Sequence, residues 1–224
     1  MSKVVWSYSS LALYQQCPKK YYHLKVAKDV KDPPSEAIAF GNEIHKIAEN
    51  YVSKGTPIPE KHKQIEPALE ALRAMSGEKL CENKLGLTAD LKPCGFFDRG
   101  VWWRGIADLI ILQDDVALTV DYKTGKSSKY ADMKQLELLS LAIFKHFPQV
   151  KKVKAGLAFL FADDFVRAEF HADQQKTLWG SWFSDVGQLE QSIQSEVWNA
   201  KPNFTCRGYC PVVECVHNQG DRNG

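Results

Sequence analysis

The stretch 101–123 constrains the fold of this chain more than any other part of its sequence. It consists of two runs rich in β-forming residues, separated by the turn-forming pair Asp114-Asp115. Two such runs joined by a short turn predict a β-hairpin. We therefore expect 101–123 to form part of a central sheet, with one acidic residue in each strand, Asp108 and Asp121.

These two acidic residues are the first candidates for chemistry. Asp108 stands in the apolar sequence Ile-Ala-Asp-Leu-Ile, and Asp121 follows a run of β-forming residues. Carboxylates in such surroundings are costly to bury without partners, and a divalent cation such as Mg²⁺ would satisfy both. Lys123 lies two residues after Asp121, so strand alternation places its ammonium group on the same face. The backbone carbonyl of Tyr122 is expected to be free to ligate metal, although an Asp-x-Lys pair by itself is more often a surface ion pair.

Segments on either side of the hairpin alternate between helical and extended patterns. Apolar residues recur at helical spacing in several of them, and others are short β-forming runs. One predicted helix begins at Ser7 or Ser9, and a second lies between a break at 32–35 and residue 56. Further helices are predicted at 67–75, 133–147 and 172–198, and further strands at 81–87, 154–161 and 166–170. Helices around a mixed central sheet place the chain in the α/β or α+β class.

The size and composition of the chain suit one domain over 1–224. It has 224 residues, of which 44% are hydrophobic and 25% charged, an ordinary globular balance. No apolar run reaches the ~18 residues that span a bilayer, and the first residues lack the apolar stretch of a secretory signal. We therefore expect a soluble, cytoplasmic protein with no membrane partner.

Net charge does not by itself indicate a nucleic-acid partner, because it is only +2. Lysines are nevertheless concentrated in two short stretches, 19–31 and 123–134. From these stretches we take Lys19, Lys20 and Lys126 as candidates for contacts with DNA phosphates. A solvated lysine-rich surface is the alternative interpretation of either stretch.

Several other motifs fit into one pattern with the acidic pair. They are Cys17-Pro-Lys-Lys-Tyr-Tyr, Gly41-Asn-Glu-Ile-His45, Gly105-Ile-Ala-Asp108, Asp121-Tyr-Lys-Thr-Gly and Gln135-Leu-x-x-Leu139. The pattern resembles the PD-(D/E)XK nuclease superfamily, and within it the RecB-type exonuclease branch that includes Cas4-like and phage recombination nucleases. The resemblance touches most of the chain. It implies an α/β fold of the restriction-endonuclease type, with a central mixed sheet flanked by helices.

The resemblance also implies a role for each matching residue. The implied metal ligands are His45, Asp108, Asp121 and the Tyr122 carbonyl, and the implied catalytic residues are Asp108, Asp121, Lys123 and Gln135. Glu82 is similar to a supporting acidic position of the family. The Gln motif of the family often ends in Tyr, whereas Leu139 stands here. By themselves, His45 and Gln135 would be interpreted as surface residues.

Cysteines are concentrated near the C-terminus. Cys206, Cys210 and Cys215 lie within ten residues, which suggests metal binding rather than core packing. In the RecB-type branch, members with one N-terminal and three C-terminal cysteines hold a [4Fe–4S] cluster, and Cys17 would supply the fourth thiolate here. The tail 202–224 would then be pinned to the N-terminal helix. Four thiolates also suit Zn²⁺, and His217 is an alternative fourth ligand.

The predicted function is a metal-dependent DNA nuclease, an exonuclease in recombination, repair or DNA processing, which uses Mg²⁺ or Mn²⁺. DNA is the expected substrate, and a single-strand annealing or recombination protein is the expected protein partner. The expected location is the cytoplasm of a bacterial, archaeal or phage-infected cell. Two alternatives stay open at this stage: a non-catalytic nucleic-acid-binding module, and a purely structural iron–sulfur or zinc protein.

Overall fold

A computed structural model describes residues 4–32, 35–129, 131–162 and 164–220 of the chain. The chain divides into two compact units. The first unit combines the two ends of the chain, Met1–Ser35 and Gly180–Gly224, and the second unit is the continuous segment Glu36–Trp179. The described residues include no helix that is both long and apolar enough to cross a membrane.

The second unit is built on a six-stranded mixed sheet with the strand order β2-β1-β3-β4-β5-β6. The strands are β1 Glu78–Leu87, β2 Pro93–Cys94, β3 Trp103–Gln113, β4 Val116–Lys123, β5 Lys152–Phe159 and β6 Asp164–His171. Neighbouring strands are antiparallel except β4 and β5, which are parallel. The predicted hairpin is confirmed as β3 and β4, joined at Asp114-Asp115. The mixed sheet and its flanking helices form the α/β, restriction-endonuclease-like fold that the sequence predicts.

The described residues form six α-helices. They are α1 Tyr8–Gln16, α2 Pro18–Tyr21, α3 Glu36–Lys54, α4 Glu66–Ala74, α5 Lys134–His146 and α6 Gln175–Ser195. Helix α5 forms the crossover between β4 and β5, because parallel neighbours cannot be joined by a tight turn. Its buried residues include Leu136 and Ile143, which confirms the predicted apolar side of this helix.

The core that supports the candidate site lies between α3, α4 and the sheet. Ile44 and Ala48 of α3 and Leu69 of α4 are completely buried, and they share one cluster with Leu109 and Val120 of the hairpin. Burial of a side chain such as that of Ile44 contributes about 1.5–3 kcal/mol. This packing fixes α3 against the end of the sheet where the acidic residues stand.

In the first unit the N-terminal and C-terminal segments pack together. Helix α1 begins at the predicted cap, where the Ser7 hydroxyl accepts a hydrogen bond from the Ser10 backbone N–H. The Trp198 ring stacks on Tyr21 with 5.9 Å between centroids and lies 5.4 Å from the Tyr22 ring. The Lys201 backbone N–H also donates to the Cys17 sulfur at 3.4 Å.

Several element boundaries differ from the sequence prediction. The predicted helix 172–198 is a 3₁₀ turn over Ala172–Gln174 followed by the shorter α6. The sequence pattern also missed β2 and the π-helix Tyr22–Ala27, because neither is long enough to produce a clear period. The predicted break at 32–35 includes positions 33 and 34, which lie outside the described residues.

Candidate metal centre and active site

The two predicted acidic residues stand where the β3–β4 hairpin opens. The last pair in the ladder is Leu109↔Val120, and Asp108 and Asp121 are the next residues of their strands. Asp108 is 8% exposed and Asp121 is 5% exposed. The sheet therefore brings two carboxylates to one end of the hairpin and largely removes them from water.

Asp108 is held from both sides. Its Oδ2 accepts a hydrogen bond of 2.7 Å from the Tyr122 backbone N–H, which links the two strands just past their last pair. The same oxygen lies 3.3 Å from Nδ1 of His45 on α3. One oxygen of Asp108 thus joins β3 to both β4 and α3.

His45 connects helix α3 to the sheet through both of its ring nitrogens. Its Nε2 lies 2.9 Å from the Tyr122 carbonyl oxygen, which has a second lone pair in addition to the one that faces His45. Both ring nitrogens therefore face acceptors, an arrangement that favours the doubly protonated imidazole. The hydrogen bond to Asp108 is the largest reason that the pKa of His45 is raised above its usual value, against the lowering effect of burial.

Glu82 completes a group of three possible metal ligands. Ligand atoms of His45, Glu82 and Asp108 all lie within 4.8 Å of one another, and this is the one such group of His, Cys, Asp or Glu found in the described parts of the chain. In β1, Glu82 stands opposite Asp108, between the pairs Cys81↔Leu109 and Asn83↔Ala107. Its φ of 49° is unusual for a residue with a side chain. Backbone strain of this kind is frequent where function fixes the position of a side chain.

Asp121 belongs to a second, adjoining set of contacts with Lys123 and Gln135. Lys123 Nζ lies 2.7 Å from Asp121 Oδ2 and donates to Gln135 Oε1 at 3.1 Å. Gln135 Nε2 in turn donates to Asp121 Oδ1 at 2.6 Å. The three side chains form a closed ring that connects the end of β4 to the first turn of α5.

The electrostatics of the site reflect this crowding of carboxylates. The pKa of Asp121 is raised to about 6, chiefly by burial and then by the nearby Asp108 carboxylate, while Lys123 acts to lower it. Burial and Asp108 also raise the pKa of Glu82. Asp121 and Glu82 therefore hold their protons to a higher pH than exposed carboxylates do.

A divalent cation fits this site chemically. Carboxylate oxygens are the ligands that Mg²⁺ and Mn²⁺ favour, and an imidazole nitrogen is compatible with Mn²⁺. A cation would neutralise the carboxylates that burial penalises, and it would take the place of the protons that the site now retains. His45, Glu82 and Asp108 are the residues that the structure groups for this purpose. The sequence-derived ligand set differs, because it contained Asp121 and the Tyr122 carbonyl and gave Glu82 only a supporting position.

The predicted DNA contacts are not among these ligands. Lys126 is exposed in the loop that follows β4, three residues after Lys123. Lys19 and Lys20 belong to α2 of the first unit, where they line a cavity beside Cys17. Their role in DNA binding stays a prediction.

The four predicted cluster ligands line one cavity of the first unit. Cys17, Cys206, Cys210 and Cys215 all contribute to this small cavity, together with His217. All four are free thiols. Cys81 and Cys94 belong to β1 and β2 and are not among the residues that line it.

The fold and the site define a class of protein, the nucleases with an α/β core and an acidic pair at the end of a hairpin. A sequence model described as the PD-(D/E)XK nuclease superfamily matches residues 5–92 and 84–215. The chain belongs to the PD-(D/E)XK nuclease superfamily, whose nucleases use divalent metal ions. The family assignment thus agrees with the resemblance inferred from the motifs.

The comparison with solved structures finds similarity at low sequence identity. A "Putative exonuclease" from Eubacterium rectale is 12% identical, with a TM-score of 0.56, over 97% of this chain and 88% of its own. The structure of SSO0001 is 14% identical, with a TM-score of 0.48, over 96% of this chain and 86% of its own. No curated protein matches the sequence significantly.

Proposed function

We propose that this chain hydrolyses phosphodiester bonds in DNA as a Mg²⁺- or Mn²⁺-dependent exonuclease. The observation that carries the proposal is the convergence of His45, Glu82 and Asp108 within 4.8 Å, next to the ion pair of Asp121 and Lys123. Three ligands for a hard cation beside a positioned ammonium group are the components that metal-assisted hydrolysis requires.

In this proposal His45, Glu82 and Asp108 hold the cation, and Asp121 adds negative charge beside them. The bound cation would lower the pKa of a water molecule and offset the charge that develops on the phosphate. Asp108 also has a structural role, because it accepts a hydrogen bond from the Tyr122 N–H that fixes the spacing of β3 and β4 at the site. A Mg²⁺ ion in such a site usually keeps several waters.

Lys123 is the proposed catalytic lysine. Its side chain is 34% exposed, whereas that of Asp121 is 7% exposed, so the ammonium group is accessible to a substrate while its counter-ion is enclosed. From this position it would orient the attacking water or stabilise charge on the phosphate. Gln135 acts as a positioning residue, because its amide contacts both Lys123 and Asp121.

Exonuclease action has weaker support than nuclease action. The Eubacterium rectale structure that shares the fold carries the name "Putative exonuclease", and the motif pattern resembles the RecB-type branch. A role in recombination, repair or DNA processing, with a single-strand annealing or recombination protein as partner, is part of the same proposal.

The test is digestion of linear DNA labelled at either end, with closed circular DNA in parallel. We expect Mn²⁺ or Mg²⁺ to support release of short products from linear DNA, EDTA to abolish it, and circular DNA to survive. Asp108→Asn and Lys123→Ala should be inactive while remaining folded. Cleavage of circular DNA would overturn the exonuclease assignment, and binding without cleavage under any metal would favour a non-catalytic binding module.

We further propose that Cys17, Cys206, Cys210 and Cys215 hold a [4Fe–4S] cluster. Its support is the single cavity that all four thiols line. A tetrahedral Zn²⁺ site, with Zn–S bonds of ~2.3 Å, needs sulfur atoms about 4 Å apart. The described cysteines form no group of three within 4.8 Å, so Zn²⁺, which stays the alternative, would require the thiols to move closer together.

Metal analysis of protein purified without oxygen tests the cluster. We expect iron and sulfide in equal amounts and a brown protein, with both lost in Cys17→Ser and Cys210→Ser. Cys94→Ser is the matched control, since Cys94 is also a free thiol but belongs to β2. Stoichiometric zinc without iron would contradict the proposal.

A further inference from the structure

An exposed aromatic ring lies on the loop that leads from β2 into β3. Phe97 is 76% exposed, so most of its apolar ring faces solvent. Its ring contacts Phe96 edge to face, with 4.9 Å between centroids. The two rings form a small aromatic surface outside the core.

Two cations accompany this aromatic surface. Lys84 Nζ of β1 lies 5.5 Å from the Phe97 centroid and 5.9 Å from that of Phe96. The Arg104 guanidinium of β3 lies 5.1 Å from the Phe96 centroid. The acidic residue of the loop, Asp98, accepts a 2.6 Å hydrogen bond from the Gly95 N–H, so its carboxylate is engaged by the loop backbone. We call Lys84, Phe96, Phe97 and Arg104 the aromatic–basic patch.

The patch is connected to the candidate metal centre through β1 and β3. Lys84 pairs with Ile106, which is itself 39% exposed and lies two residues before Asp108. Arg104 precedes Asp108 by four residues, which corresponds to about 13 Å along a strand. A Cβ on Gly105 would contact Leu139 of α5, so the alternate residues Arg104 and Ile106 face away from that helix.

We infer that the aromatic–basic patch binds unpaired bases of a single-stranded DNA segment whose scissile phosphate lies at the metal centre. The inference rests on the proposed function and adds the form of its substrate. Aromatic rings next to cations bind single strands because every base has a face that can stack, while the cations attract the phosphates. Within a duplex the base faces are covered by their neighbours, so an exposed Phe97 suits an unpaired segment.

The first test is the affinity for a fluorescent single-stranded oligonucleotide, measured by anisotropy in EDTA to prevent cleavage. Phe97→Ala and Phe97→Leu should weaken binding by about 5- to 100-fold, since one stacked base contributes that much. Phe97→Tyr keeps a ring and should bind like the wild type. Ile38→Ala is the matched control, because Ile38 is an exposed apolar residue of α3, 62% accessible, outside the patch. Equal affinity of Phe97→Leu and wild type would overturn the inference.

The second test locates the contact along the strand. Oligonucleotides with one abasic site at successive positions should show a loss of affinity at one or two positions for the wild type. Phe97→Ala should show no further loss at those positions, because the stacking partner is already missing. Loss that is uniform along the strand, or identical in both proteins, would contradict the inference.

These tests distinguish DNA binding by the aromatic–basic patch from the proposed nuclease activity. Asp108→Asn should abolish cleavage and leave the abasic pattern unchanged. If the wild type fails to cut any DNA while Phe97 variants still lose affinity, the proposed nuclease activity fails and the patch stands. If the wild type cuts DNA and Phe97→Leu binds and cuts single strands equally well, the patch fails and the nuclease stands.

Discussion

The Gln135 side-chain amide donates a 2.6 Å hydrogen bond to Oδ1 of Asp121, and its oxygen accepts from Lys123. One uncharged side chain at the start of α5 therefore fixes both members of the Asp-x-Lys pair. Because the amide has a donor at one end and an acceptor at the other, a carboxylate at this position would reproduce only the contact with Lys123. The relationship supports the positioning role that we propose for Gln135.

Replacement of Gln135 should reduce activity through Lys123. We expect Gln135→Ala to lower kcat about 10- to 150-fold, since a hydrogen bond to a charged group is worth about 1.5–3 kcal/mol. Gln135→Glu should be at least as damaging, because it replaces the donor to Asp121 with a like charge. The readout is the pH–rate profile together with kcat, and an unchanged profile in both variants would contradict a positioning role.

Lys123 should affect the chemical step more than metal binding. We expect Lys123→Ala to lower kcat by about 10²- to 10⁴-fold, the usual contribution of a positioned catalytic group. Mn²⁺ affinity, measured by calorimetry, should not weaken, because removal of a cation beside Asp121 favours another cation. Lys123→Arg keeps the charge and should recover part of the rate. A large loss of Mn²⁺ affinity in Lys123→Ala would argue against this division of roles.

Glu82 should matter for metal binding although it lies outside the hairpin. We expect Glu82→Gln to weaken Mn²⁺ binding by at least about tenfold, since even outer contacts of a metal site contribute that much. Glu49→Gln is a suitable control, because Glu49 is an acidic residue of α3 paired with Lys46. Calorimetric titration of both variants decides whether the metal ligands are those grouped by the structure.

Stability of the metal-free protein should fall as the pH rises through the carboxylate range. The pKa of Asp121 is raised to about 6 in the fold, against about 3.9 in an unfolded chain. The protonated carboxyl therefore stabilises the fold fully below pH ~4, and this contribution, on the order of 2 kcal/mol, is lost as the pH rises to about 6. The raised pKa of His45 acts in the same direction and at higher pH.

Thermal unfolding in EDTA across pH 4–8 measures this effect, with Asp121→Asn as the control that cannot titrate at that position. Mn²⁺ should restore stability most strongly above pH ~6, where it no longer competes with the proton on Asp121. A wild-type profile that coincides with that of Asp121→Asn would contradict the assignment.

Tyr122→Phe should be tolerated. The Tyr122 hydroxyl is buried and has no hydrogen-bond partner among the described residues, and burial is the main reason that its pKa is raised. Removal of an unsatisfied buried hydroxyl should leave stability unchanged or raise it by about 1 kcal/mol. The melting temperature and the cleavage rate are the measurements, and a marked loss of either would show that the hydroxyl has a partner or a function.

Local sequence patterns predicted the elements whose signal is continuous along the chain. The alternation and β-branched content of β3 and β4 are determined by neighbouring residues, so the hairpin and the positions of Asp108 and Asp121 could be predicted directly. The amphipathic pattern of α5 was equally clear. Family resemblance then connected these elements to His45, which no local pattern distinguishes from a surface histidine.

The contacts that organise the site join residues that are distant in the sequence. Local sequence patterns could not predict these contacts. Glu82 joins His45 and Asp108 only because β1 pairs with β3 in one register. Gln135 reaches Asp121 only because α5 begins where β4 ends.

What the sequence by itself determined is the set of charged and polar groups and the strands that carry them, because side-chain chemistry and periodicity are local properties. The tertiary structure alone decided which groups meet. It placed the Tyr122 carbonyl within hydrogen-bond distance of His45. The physical reason is that buried charges and hydrogen-bond donors must find partners in space, and the register of the sheet selects those partners.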